Sequence, residues 1–191
     1  MSRRLDVDVV RAVALVSMYV AHVAPSRGPA RVLELSEYLT MPLFALIIGV
    51  GAQLGVRRAS TSRVAWWRSM VVRALVLVLV GLALERAGSQ VLIVLVHLGV
   101  LLVVAGLLAL APTRAVVLVA VTAFVAGPLL IEAVQRHGPL LGTSSLAVEA
   151  ESLLWSGYAY RVVTMVIYAA VGIVLARRWL GTRRVSVEPA L

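Results

Sequence analysis

The stretch RLDVDVVRAVALVSMYVAHVAP, residues 4–25, places Asp8, Arg11 and His22 in or beside an apolar run. Charge in hydrocarbon is costly, so such groups need a partner, a water-filled cavity or a task. At 3.6 residues per turn, Arg11 and His22 are about three turns apart on one face, separated by ~16 Å along the axis. Asp8 lies one turn before Arg11. The stripe therefore pairs an acid and a base at one end of the helix with an imidazole towards the other. Imidazole titrates near neutrality and suits general acid–base work. Guanidinium is a permanent planar fork suited to phosphate or carboxylate, and Asp8 would hold it in place. Each group also has a plain structural account, with Asp8 and Arg11 as an interfacial pair and His22 at headgroup level.

The elements that would carry this stripe are membrane helices. Of 191 residues, 61% are hydrophobic and 14% charged, and the mean hydropathy is +0.99. That balance excludes an ordinary soluble domain. The net charge of +9 comes from 18 basic residues, all Arg, scattered between apolar runs. They make no compact patch for nucleic acid. The chain has no Cys, which excludes a disulfide framework, a thiolate nucleophile and a Cys-based metal site. Three His with no close second ligand argue against any metal.

Apolar runs long enough to span a bilayer cover about residues 7–25, 38–56, 70–87, 90–111, 115–134 and 158–176. Pro25, Gly28-Pro29, Gly88-Ser89, Pro112-Thr113 and Gly138-Pro139 punctuate them. Trp66, Trp67, Trp155, Tyr158 and Trp179 stand where an aromatic belt belongs. Arg3, Arg4, Arg57, Arg58, Arg63, Arg68, Arg114, Arg177, Arg178, Arg183 and Arg184 alternate with loops holding Glu34, Glu37, Glu85, Glu132, Glu149 and Glu151. Positive residues stay inside, so both termini are expected in the cytoplasm. The expected fold is all-α, a single transmembrane domain over residues 1–191 with about six spans and a tail from about residue 180. A signal peptide is the rival reading of the N-terminus, but Asp6, Asp8 and Arg11 interrupt its apolar region.

Smaller features refine this picture. GAQLG, Gly51 to Gly55, has the small-xxx-small spacing of tight helix packing, and Gly99 and Gly106 suggest close approach. Gly127-Pro128 is expected to kink the fifth span. SSLAVEAESLLW is expected to form a short interfacial helix capped by Ser144 or Ser145. Arg73, at the inner end of the third span, either binds donor groups or snorkels to the headgroups. Arg57 and Arg58 obey the positive-inside rule. His97 reads as a packing histidine, and Glu151 with Arg161 as acceptor ligands or interfacial anchors.

With these residues in view, the chain resembles the transmembrane acyltransferase superfamily. That group includes bacterial acetyltransferases of cell-surface sugars and the heparan-α-glucosaminide N-acetyltransferases. RLDVDVVRAVA followed by His22 is similar to its first helix, in which an Arg precedes a His by the spacing of Arg11 and His22. TMPLFALIIGVGAQLGVRR resembles its second span, and WWRSMVVRALVLVLVGLAL its third; VHLGVLLVVAGLLAL and YAAVGIVLARRWL resemble later ones. The resemblance implies transfer of an acyl group from cytosolic acyl-CoA, such as acetyl-CoA, to a glycan or lipid-linked sugar of the cell envelope. It implies His22 and Arg11 as catalytic, and Asp8 and Arg73 as substrate-binding. Members of the superfamily carry more spans than the six counted here. A shortened, non-enzymatic relative serving as a scaffold or partner subunit, in a homo- or hetero-oligomer, is therefore the alternative. A small transporter is a third class, which the lack of matching halves with broken helices disfavours.

Overall fold

The computed structural model describes residues 5–23, 35–58, 62–87, 94–157 and 161–182, with the side chains of 5–7, 21–23, 35–39 and 179–182 set aside. Every regular element in it is helical. The order is α1 (Leu5–Val23), α2 (Leu35–Arg58), α3 (Arg63–Arg86), α4 (Leu95–Leu110), α5 (Thr113–His137), α6 (Ser145–Glu151), a π-helical turn (Ser152–Ser156) and α7 (Val162–Thr182). Three segments, Thr40–Arg58, Arg63–Arg86 and Thr113–His137, are long and apolar enough to cross a membrane. The chain is a multi-pass membrane protein by that composition. All six long helices overlap the six apolar runs of the sequence. The 16 residues of α4 span only about 24 Å, less than the ~30 Å of a bilayer core.

Three helices form the centre. α2 packs on α7 most extensively, and both pack on α4. α1 flanks α2, α3 flanks α4, and α5 flanks α7. The core accordingly draws Ala45 and Ala52 from α2, Leu98, Leu101 and Ala105 from α4, and Met165, Ala169 and Ile173 from α7. α3 and α5 each add one buried core residue, Met70 and Val116.

Sequence neighbours in contact fix the directions. Gly49 meets Ala169 and, further along both helices, Gln53 meets Arg177, so α2 and α7 run parallel. α4 packs on α7 and ends beside Arg177, so it runs the same way. The trio's macrodipoles are therefore aligned, and three negative C-terminal ends converge. α1 runs antiparallel to α2, because Arg11 near its start faces Gly51 in the second half of α2.

The tightest crossing needs two glycines. A β-carbon at Gly49 would collide with the carbonyl of Ala169, and one at Gly172 with the carbonyl of Leu46. Without a hydrophobic drive between helices in lipid, such backbone contact is a main source of association. GAQLG does not make this crossing: its Gly51 and Gly55 lie on the opposite face of α2. The close approach expected at Gly99 and Gly106 is present, with a β-carbon at Gly99 falling 2.8 Å from the Ala74 carbonyl oxygen. α5 runs unbroken through Pro128. The short helix after it forms as expected, with Ser144 Oγ accepting from Ala147 N–H at 3.3 Å.

Candidate functional site

α1 positions the opening stripe. Ala14 is fully buried against its neighbours, while Val9, Val13, Val16 and Tyr19 are exposed on the other side. Arg11 Nη1 lies 3.5 Å from Asp8 Oδ1, so the pair expected from the sequence is formed. The two side chains are 53% and 39% exposed, which places them on the rim of the α1–α2 contact rather than within it. From that rim Arg11 reaches α2: its Nη2 would be 3.8 Å from a β-carbon at Gly51.

One turn along the same face of α2 stands Gly55, and over it lies Trp66 from the first turn of α3. A β-carbon at Gly55 would overlap the Trp66 indole nitrogen. The small residues of GAQLG thus make a floor, with a guanidinium from α1 at one end and an indole N–H from α3 at the other. Both are donors. Ser62 caps α3 there, its Oγ accepting from Ala65 N–H at 3.2 Å. From sequence Trp66 is expected only in an aromatic belt. Its place directly before the third span, together with the i, i+4 glycines, was the available signal.

The backbone of α1 carries His22 about 16 Å further along the axis. The antiparallel course of α1 along α2 carries it towards the first half of α2, where Thr40 is buried. The His22 side chain lies outside the described residues. Arg73 is exposed on α3, a helix that packs on α4, and the described packing does not bring it to Arg11. His97 is half-buried in α4 with Nδ1 enclosed, in keeping with a packing role.

Glu151 departs from its reading as an acceptor ligand or interfacial anchor. It is 2% exposed, and its Oε2 accepts from the Leu140 and Leu141 N–H groups at 2.8 and 2.9 Å. Those residues lie between Gly138 and Gly142, both at positive φ, so the carboxylate fixes the turn after α5. Arg161 likewise donates from Nε to the Gly157 carbonyl at 2.7 Å.

Arg177, one of the arginines that the sequence marks only as positive-inside charge, uses its whole guanidinium in the structure. Arg177 donates from Nε to Gln53 Oε1 at 2.8 Å and from Nη1 to Thr113 Oγ1 at 2.9 Å. Its Nη2 reaches the carbonyls of Ala111 at 2.7 Å and Ala109 at 3.1 Å. A cation thus sits where the negative ends of α2, α4 and α7 meet. It lies past the apolar run 158–176; burial first and the charge of Arg57 second lower its pKa from the ordinary arginine value. The signal for it was Gln53, an amide in an apolar helix that must find a partner when buried.

No protein-family model, curated protein or solved structure gives a significant match to this chain.

Proposed function

We propose that the protein is an acyltransferase-like protein of the cytoplasmic membrane. In this reading all six long helices cross the bilayer, and both termini lie in the cytoplasm. It transfers an acyl group from acyl-CoA to a carbohydrate or lipid-linked sugar of the cell envelope. The observation that carries the reading is Arg11, held by Asp8 and laid against the glycine floor of α2 that also receives the Trp66 indole. At the cytoplasmic end, those two donors would receive the phosphates of the acyl donor.

The same helix then leads to His22 near the outer side. An extended acyl-thioester arm would run between the two ends. There the acceptor hydroxyl or amine attacks the thioester carbonyl carbon and its proton passes to the His22 imidazole. The carbon–sulfur bond breaks, and the departing thiolate takes up that proton. Arg73 would assist at the donor side only if another helix or chain brought the donor across to α3.

One observation favours the partner-subunit reading instead. Among the described residues α1 packs chiefly on α2 and leaves the Asp8–Arg11 pair half exposed at its rim. A second chain covering that rim would complete a site, or would be the whole purpose of it. Purified protein in nanodiscs, supplied with acetyl-CoA and a membrane glycan fraction, decides between the two. Release of free CoA that depends on the acceptor supports the enzyme. Its absence, with co-purification of a second membrane protein lost in Arg11→Ala, supports the subunit.

A further inference from the structure

The corner where α2 and α7 draw to their ends and α5 begins gathers arginines from three helices. Arg177 is committed to Gln53, Thr113 and the end of α4. Arg57 lies beside it, its Nη2 donating to the Arg177 carbonyl oxygen at 3.5 Å. Arg114 follows Thr113 directly, and Arg178 follows Arg177; Arg57, Arg114 and Arg178 are all exposed. Among the described residues, no carboxylate forms an ion pair with Arg57, Arg114 or Arg177. Arg57 and Arg114 thus stand on either side of Arg177, one reaching its carbonyl and the other next to the Thr113 that it bonds, and an anion between them would offset their positive charge. Guanidinium forks select phosphate, which they bind by two parallel hydrogen bonds.

The surroundings say what carries the phosphate. Arg114 begins the exposed apolar surface of α5, with Val117, Leu118 and Val121 on its own side of the helix. Arg178 ends a matching one on α7 formed by Leu175 and Val171. The spacings i, i+3, i+4 and i+7 keep each stripe in line with its arginine. A ligand with a charged head and long apolar chains fits both features, whereas a soluble anion would use only the first.

We propose that this corner is a binding site for the phosphate of an anionic phospholipid, with Arg57 and Arg114 as its principal ligands and acyl chains along α5 and α7. Placing that lipid in the cytoplasmic leaflet rests on the topology given above; binding itself does not.

The test is native mass spectrometry and thermal unfolding of the full chain in detergent, with added phosphatidylglycerol or phosphatidylcholine of the same chains. Phosphatidylglycerol should be retained and should raise the melting temperature, while phosphatidylcholine should do neither. In Arg57→Gln/Arg114→Gln the preference should weaken about thirtyfold, as expected for two arginines at a charged surface, with unchanged stability in phosphatidylcholine. Arg63→Gln/Arg68→Gln removes the same charge from the start of α3 and should leave the preference intact. Equal loss in that control would mean diffuse attraction and would overturn the site. Displacement of the lipid by millimolar glycerol phosphate or CoA would overturn it too, by showing a soluble phosphate ligand. Detergent removes sidedness, so a failed topology and a failed lipid site give different results.

Discussion

Arg177 and Gln53 join α7 to α2 through one hydrogen bond, Nε to Oε1, at 2.8 Å, although 124 positions separate them in the chain. The bond belongs to a larger arrangement in which the same guanidinium, from α7, also bonds the carbonyls that end α4 and the Thr113 hydroxyl that begins α5. Gln53 is 5% exposed, so neither water nor lipid can replace its partner. Arg177→Leu should therefore strand the amide of Gln53 and several carbonyls at once, lowering stability by about 2–4 kcal/mol. Arg177→Lys keeps the charge but cannot make the fork and should recover less than half of that. Thermal unfolding in a mild detergent reads both; equal melting temperatures for the wild type and Arg177→Leu would rule this role out.

Gly49 and Gly172 should be intolerant of even one methyl group. Each faces a backbone carbonyl of the opposite helix, and backbone cannot turn aside as a side chain can. Gly49→Ala and Gly172→Ala should each cost about 2 kcal/mol or more through separation of α2 and α7. Gly127→Ala is the contrast, because a β-carbon there would stand 3.7 Å from Val163 in ordinary contact. It should be neutral, or stabilising by up to ~1 kcal/mol through helix propensity. A ranking in which Gly127→Ala is the most damaging of the three would contradict the packing described.

The long helices were legible because each apolar run is long enough to be little else, and Ser144 was legible as a cap from its place before SLAVEAE. Which faces meet was not legible. A helix in lipid is apolar all round, so periodicity does not mark its buried side, as it does in a soluble bundle. Only glycines and polar residues carry that information, and they are ambiguous: Gly49 and Gly51 look alike in sequence yet lie on different faces of α2. The polar residues were better guides where they had to be paired. Asp8 and Arg11 pair locally and could be anticipated. Gln53 demands a partner but does not name it, and Arg177, one of four arginines after the last apolar run, resembles any other charge obeying the positive-inside rule. Glu151 misled because an acid near a helix end usually faces water, whereas here the turn between two positive-φ glycines encloses it.

The proposed topology has a direct check, since the chain has no cysteine of its own. Ser62 begins α3 and Ser145 begins α6; both are exposed, and an odd number of crossings separates them in the six-span arrangement. Membrane-impermeant maleimide added to intact cells should label Ser145→Cys and spare Ser62→Cys until the cells are opened. Loss of the Ser62 cap costs only about 1 kcal/mol, which the fold should survive. Labelling of both from the same side would exclude the arrangement.

The acyltransferase reading makes a patterned demand on four side chains. If His22 takes the acceptor proton, His22→Ala should reduce kcat by about 10²–10⁴-fold, the range of general-base catalysis, and leave donor binding intact. Arg11→Ala should act the other way, raising KM for acyl-CoA with a smaller loss of kcat, because a positioning charge contributes before the chemistry begins. Arg11→Lys should restore part of that, since an ammonium cannot bind phosphate through two parallel bonds. Trp66→Phe keeps the ring over Gly55 and removes the N–H, so it should mimic Arg11→Ala in kind and fall short of it in size. Asp8→Asn should weaken Arg11's placement and sit between the two. Steady-state kinetics with acetyl-CoA as the varied substrate separates these outcomes, provided each variant shows wild-type unfolding. An active wild type with unchanged turnover in His22→Ala would make His22 structural. An unchanged donor KM in both Arg11→Ala and Trp66→Phe would remove the glycine floor of α2 from donor binding altogether.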